Sequence, residues 1–202
     1  MKMKVGLFFG SFNPIHTGHL VIAEYLLEFS DLKEIWFVIS PQNPLKDKNV
    51  LASDEHRLNM LRLALPENNP RMKVCDVEFG MPRPSYTIDT LKKLAQNNPD
   101  KEFVVLMGSD SAKNINLWKD YQILIEDWDI YVYPRENAAI FMKFPSPKFS
   151  LIDAPVLGIS STQIRDLVEK GMNVSGYVPD DVWEYIHRNN LYALKQTEEH
   201  HG

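Results

Sequence analysis

Cysteine is nearly missing from this chain: Cys75 stands alone among 202 residues. One thiol closes no intrachain disulfide, and without a C-x-x-C pair there is neither a dithiol redox motif nor a cysteine zinc site. A reducing, cytoplasmic setting is therefore expected. Long hydrophobic runs are missing too. No apolar stretch approaches the roughly 20 residues of a membrane-spanning helix. The run that follows Met1-Lys2-Met3-Lys4 stops at Gly10 with no small-residue cleavage site behind it, too short for a signal-peptide core. Nor is there an excess of positive charge. Against 22 Lys and Arg stand 27 Asp and Glu, a net charge of -5 with a pI near 5.7. Recruitment of nucleic acid by bulk charge is excluded, while a local basic pocket is not.

What remains is ordinary for a soluble globular protein, 44% hydrophobic and 24% charged residues. The length suits one domain, expected over residues 1–193 with a helical C-terminal part from about residue 160. The polar end, 194–202 with His200 and His201, reads as a disordered tail. Short apolar runs at Val5 to Phe9, Ile35 to Ile39, Met72 to Val77, Phe103 to Met107 and Asp129 to Tyr133 read as strands, with a last one at Leu151 to Pro155. Between them, helical spacing appears from Gly18, over Asp54 to Leu65 (stripe Leu58, Leu61, Leu65, cap Asp54 or Ser53), and over Ser85 to Ala95. Two more helices are read at about Ser161 to Lys170 and Asp180 to Asn189. Strands and helices alternate, and several strands are apolar throughout, as buried parallel strands must be. The fold class is thus α/β, a doubly wound parallel sheet. Ligands in such sheets sit beyond the carboxyl ends of the strands, which selects Gly10 to His19, Ser40 to Lys48, Gly108 to Trp118 and Pro134-Arg135. The proline-rich patch Phe144 to Pro147 reads as a surface loop.

The first of these loops is the richest. Gly10 permits a tight turn and close backbone approach, and the loop feeds a helix whose free N–H groups favour phosphate. His16 and His19, three apart, can face one ligand from the first turn. Structural packing and zinc binding are the competing readings, and no spacing supplies further zinc ligands. Neither G-x-G-x-x-G nor a Walker A lysine is present. A second cluster is Gly158-Ile159-Ser160-Ser161-Thr162-Gln163-Ile164-Arg165. A capping serine, open N–H groups and Arg165 on one helix face converge on an anion, unless Arg165 merely pairs with Asp166 or Glu169.

Together, Phe9-Gly10-Ser11-Phe12-Asn13-Pro14-Ile15-His16-Thr17-Gly18-His19 and Ile159-Ser160-Ser161-Thr162-Gln163-Ile164-Arg165 resemble the paired signatures of the nucleotidyltransferase superfamily, G-x-F-x-P-x-H-x-G-H and I-S-S-T-x-I-R. Pro84 to Leu91, Gly108-Ser109-Asp110 with Trp118, and Val178-Pro179 through Leu191-Tyr192 are similar to the bacterial nicotinate-nucleotide adenylyltransferases, so the likeness runs to about Tyr192. One departure is Phe9, where that family often has a second glycine; it stands at the rim near the ribose, and the retained Gly10 keeps the turn.

The resemblance implies adenylyl transfer from ATP to nicotinate mononucleotide, giving deamido-NAD and pyrophosphate. His16, His19, Lys46 and Arg165 would neutralise phosphate charge, with Lys46 alternatively a solvated loop lysine like Lys48. Gly10, Ser11, Phe12, Ile159, Ser160 and Ser161 would hold ATP, the Ile159-Ser160 backbone reading adenine. Tyr86 and Thr87 at a helix start would receive the nicotinate carboxylate, Trp118 would stack on the pyridine, Asp110 would lie near the acceptor ribose, and Arg135 would hold the mononucleotide phosphate. Trp36, Trp128 and Trp183 read as core or half-buried. Mg²⁺ would ride on the ATP phosphates rather than on protein ligands. Nicotinamide mononucleotide or another phosphate acceptor, and a non-catalytic nucleotide-binding domain, are the alternatives. No membrane or nucleic-acid partner is expected, and oligomeric state stays open.

Overall fold

The computed structural model describes residues 2–41, 51–65, 69–135 and 146–193. Six strands form one parallel sheet: β1 Met3–Gly10, β2 Glu34–Ile39, β3 Met72–Cys75, β4 Lys101–Gly108, β5 Asp129–Tyr133 and β6 Phe149–Leu151, in the spatial order β3-β2-β1-β4-β5-β6. The chain winds outward from β1 to β3, then returns to place β4 on the other side of β1. That reversal leaves a crevice between the carboxyl ends of β1 and β4.

Strand alternation splits the core into two layers. Phe8, Val104 and Leu106 face α1 (Thr17–Phe29), α2 (Asp54–Ala64), α6 (Ser161–Glu169) and α7 (Asp180–Arg188). Val5, Leu7, Phe103, Val105 and Met107 face α3 (Thr87–Asn97), α4 (Ser109–Lys113) and α5 (Tyr121–Asp127). Trp36, Trp128 and Trp183 are half-buried against these layers. No helix among the described residues is long and apolar enough to cross a membrane.

Several boundaries differ from the sequence reading. The last strand is Phe149–Leu151, paired with Ile130 to Val132, rather than Leu151 to Pro155. Phe149 is the residue that reaches the core, and Pro155 has no N–H to give a ladder. β3 ends at Cys75, and a 3₁₀ turn, Val77–Gly80, follows. Ser85 precedes α3 and is spent on Glu78 instead. The buried stripe of α2 is Arg57, Met60, Leu61 and Ala64, with a cation where an apolar residue was expected; Ser53 caps it, accepting from the His56 N–H at 3.2 Å. The Gly108 to Trp118 loop contains α4 and a 3₁₀ turn, Ile115–Leu117.

Candidate active site

β1 ends at Gly10, and the chain turns through Phe12 at φ 44° and a cis Asn13–Pro14 bond into α1. A left-handed backbone at a bulky residue is costly and persists only where packing enforces it. Phe12 is buried, its ring set against Phe8 at 6.0 Å, Phe37 at 5.7 Å and His19 at 5.2 Å. It folds so closely over Gly10 that a Cβ there would stand 2.8 Å from the ring, so only glycine fits.

His16 is the N-cap of α1 and His19 lies three residues on. Their rings stack with centroids 3.7 Å apart and 31° between planes. The His16 backbone N–H donates to His19 Nδ1 at 3.3 Å. A ring that accepts at Nδ1 keeps its proton on Nε2 when neutral, so Nε2–H is the donor His19 offers a ligand. Burial, assisted by the charge of Arg135, pushes the His16 imidazole down to about 3, so it is neutral at ordinary pH. Its Nδ1 is buried and has no hydrogen-bond partner among the described residues. That nitrogen is sealed beside Gly18 and Ile159, and such an orphan is expensive in a finished core.

The second signature closes directly onto the first. Ser161 Oγ donates to the Pro14 carbonyl at 2.9 Å, and Arg165 Nη1 donates to the Asn13 carbonyl at 2.8 Å. Arg165 therefore clamps the loop between β1 and α1, and pairs with neither Asp166 nor Glu169. Ser160 caps α6, accepting from the Gln163 N–H at 3.3 Å. Ile159 packs on Gly18: a Cβ on that glycine would lie 2.7 Å from Ile159 Cγ2 and 3.0 Å from His16 Nδ1.

Two adjoining cavities open at the crevice. The first, about 420 Å³, is bordered by His16, His19, Ser11, Phe12, Ser160, Ser161, Arg165 and Arg135. Arg135 and Arg165 outnumber its one carboxylate, Asp110, so it favours an anion. The second, about 500 Å³, is bordered by Tyr86, Thr87, Trp118, Lys119, Glu78 and Asp110. Phe9, Gly10, Ser11, Gly108, Asp110, Ser111 and Tyr133 border both. Trp118, half-buried on the core, shows its remaining face to the second cavity. Arg135, whose N–H donates to Ser109 Oγ at 3.0 Å, borders the first cavity rather than the second. Lys46 lies outside the described residues. Among those described, no three His, Cys, Asp or Glu side chains converge as metal ligands.

Three further residues hold the loop in place: Arg57, absent from the sequence reading, and Asn13 and Tyr192, which were given no role there. Arg57 is fully buried and donates to the carbonyls of Ser11 and Ser40 (both 2.7 Å), Pro41 (3.1 Å) and Ala52 (3.2 Å), with its charge met by Asp54 at 2.6 Å. It thereby ties the ends of β1 and β2 to the start of α2. Asn13 Oδ1 accepts from the Ala52 N–H at 3.0 Å and from the Tyr192 hydroxyl at 2.8 Å. The spacing 57, 60, 61, 64 was the signal for Arg57; Tyr192 lies in the C-terminal segment that resembles the family, but nothing local marks its bond to Asn13.

A parallel sheet reversed beside a histidine-bearing loop, with an arginine helix clamped upon it, agrees with the nucleotidyltransferase class, and residues 7–167 match the cytidylyltransferase-like family. The chain is 47% identical over 193 residues to a probable nicotinate-nucleotide adenylyltransferase of Flavobacterium johnsoniae, covering 94% of this chain and 99% of that one. A Bacteroides fragilis protein of the same description is 41% identical, with 92% of each chain covered. Among solved structures, the Plasmodium falciparum nicotinic acid mononucleotide adenylyltransferase complexed with NaAD superposes with a TM-score of 0.81 at 25% identity, over 94% of this chain and 97% of that one. This chain belongs to the nicotinate-nucleotide adenylyltransferase family.

Proposed function

We propose that the protein joins ATP and nicotinate mononucleotide to give deamido-NAD and pyrophosphate, with the two cavities as its ATP and acceptor halves. The observation that carries this reading is the direct contact of the two signatures at an anion-favouring cavity that shares a rim with a tryptophan-lined one. A phosphate oxygen of the mononucleotide attacks the α-phosphorus in line, and the bond to the departing pyrophosphate breaks. The nucleophile is already anionic near neutral pH, so no general base is required. The work left to the protein is orientation and charge neutralisation.

His19 presents Nε2–H to the α-phosphate, and neutral His16 braces it from the cavity wall by the 3.7 Å ring stack. Arg165 holds the loop through Asn13 and adds positive charge, while Arg135 serves the phosphates where the cavities meet. Ser161, whose hydroxyl is held by Pro14, contributes through position and its backbone rather than as a hydroxyl donor. Lys46 is assigned to the phosphates by its place in the sequence alone, in Pro41-Gln42-Asn43-Pro44-Leu45-Lys46 shortly after the second strand. The donor set, imidazole and guanidinium without a carboxylate cluster, fits Mg²⁺ carried by phosphate and water; when bound, it would screen the triphosphate charge. In the second cavity, Trp118 stacks on the pyridine, the N–H groups around Tyr86 and Thr87 face the carboxylate, and Asp110 faces the ribose. A cytoplasmic setting agrees with the buried free Cys75.

The test is pyrophosphate release from ATP and Mg²⁺ with nicotinate mononucleotide, nicotinamide mononucleotide or pantetheine phosphate, each alone. Release with the first acceptor above the others is expected. Silence with the first would overturn the assignment.

A further inference from the structure

The charge around the second cavity is at odds with an acidic acceptor unless one more residue is counted. Glu78 and Asp110 border it, and Lys119 is the single cation that does so among the described residues. Glu78 is buried, and its oxygens accept from Ser85 Oγ at 2.6 Å and Thr90 Oγ1 at 2.8 Å, so that carboxylate is locked in place. Lys119 follows Trp118 directly, on the link between the 3₁₀ turn and α5. Its Nζ lies 2.8 Å from Asp89 Oδ2 and 4.9 Å from the centre of the Tyr86 ring. Asp89 belongs to the first turn of α3, the same turn whose Tyr86 and Thr87 border the cavity. The lysine thus bridges the two elements that form this end of the pocket. Both members of the pair keep about two-fifths of their side-chain surface in solvent, 41% and 39%. Half-exposed pairs of this kind are weak, so the ammonium is available to a second carboxylate at small cost.

We propose that Lys119 determines the preference for acid over amide acceptors, its ammonium taking the carboxylate of a pyridine ring stacked on Trp118. This rests on the function proposed above and deepens it. Trp118 offers an aromatic face that does not distinguish acid from amide, and the N–H groups of α3 give direction without a full charge. Lys119 supplies the charge, and Asp89 tempers it. Removing the lysine does two things at once: it deletes the attraction and leaves Asp89 unpaired beside the incoming carboxylate. Removing the aspartate charge does the reverse.

The experiment measures kcat/KM for nicotinate and nicotinamide mononucleotides in the parent and in Lys119→Met, Lys119→Arg and Asp89→Asn. Lys119→Met should lower the acid-to-amide ratio about tenfold, through KM for the acid, with kcat kept within about twofold. Lys119→Arg should hold the ratio, and Asp89→Asn should raise it by about two- to threefold. A purely structural bridge would make the methionine and asparagine variants move together. An unchanged ratio in Lys119→Met, or equal losses on both acceptors, would overturn the role of Lys119 while leaving the adenylyltransferase reading intact. A parent that uses neither acceptor would overturn both.

Discussion

Gly18→Ala puts a single methyl between the two signatures. The new Cβ would lie 2.7 Å from Ile159 Cγ2, 3.0 Å from His16 Nδ1 and 3.1 Å from His16 Cε1. Carbon atoms rest at about 3.5–4.0 Å, so Ile159 must retreat by roughly 1 Å or the imidazole must turn. The imidazole is braced by its 3.7 Å stack on His19, so the displacement falls largely on the 159–161 segment. Overpacking of this order costs about 1–3 kcal/mol. Alanine in place of glycine returns roughly 0.5–1 kcal/mol of helix preference, less in a first turn. The net loss is about 0–2.5 kcal/mol, and the midpoint of thermal unfolding should fall by less than about 10 °C. Activity should suffer far more, because a misplacement of about 1 Å in a reacting constellation can cost on the order of 10²-fold. Pyrophosphate release at saturating substrates, assayed well below the unfolding midpoint, should drop by about that factor. Parental turnover with an unchanged or raised midpoint would show that the segment yields freely, and would refute the claim that this glycine sets the fit of the two signatures.

Three other outcomes are expected. His19→Ala should lower kcat on the order of 10²-fold or more while changing ATP affinity, measured calorimetrically without acceptor, only a few-fold; equal losses would make His19 a ground-state contact. For His16, the folded value of about 3 lies below the ordinary 6.5, so the unfolded chain binds the extra proton between them. Its contribution to stability is complete above about pH 7 and falls by about 1.4 kcal/mol per unit as pH drops through 6.5. Urea midpoints at several pH values should show His16→Asn losing one proton of that slope, and identical slopes would refute the burial argument. Tyr192→Phe deletes the 2.8 Å bond to Asn13 Oδ1, leaving the Ala52 N–H as partner; about 0.5–1.5 kcal/mol of stability should go with it. Its kcat should fall several-fold, since the loop it anchors carries both histidines; unchanged kcat and midpoint would mean Ala52 suffices.

The strands β1, β2, β4 and β5 were legible because apolar runs bounded by glycine or proline have few other uses in an alternating chain. Both signatures stood out as candidate phosphate sites, since their histidines, serines and arginine are uncommon company at helix starts. Their mutual contact was not. Ser161 looked like a ligand hydroxyl, and only the fold turns it onto the Pro14 carbonyl. Arg57 escaped because a guanidinium on a helix reads as solvated; its burial depends on four carbonyls from three separate segments. Lys119 escaped for the opposite reason, as an ordinary exposed lysine whose meaning comes from the cavity beside it. α4 and α5 are too short for a periodic stripe to announce them.

The Asn13–Tyr192 bond spans 179 residues, which gives the site a history as well as a shape. During synthesis both histidines leave the ribosome first, whereas the clamp from Arg165 and the anchor from Tyr192 follow much later. At about 5–20 residues per second, the interval between His19 and Tyr192 is roughly 9–35 s. Through that time the nascent chain carries the phosphate-seeking residues without the contacts that set their geometry. The geometry around both histidines is therefore complete only after Arg165 and Tyr192 have joined them. Stalled chains of increasing length, probed for ATP binding, should acquire it abruptly as the last two of these residues clear the tunnel, and a gradual rise from the first hundred residues onward would contradict this order of assembly.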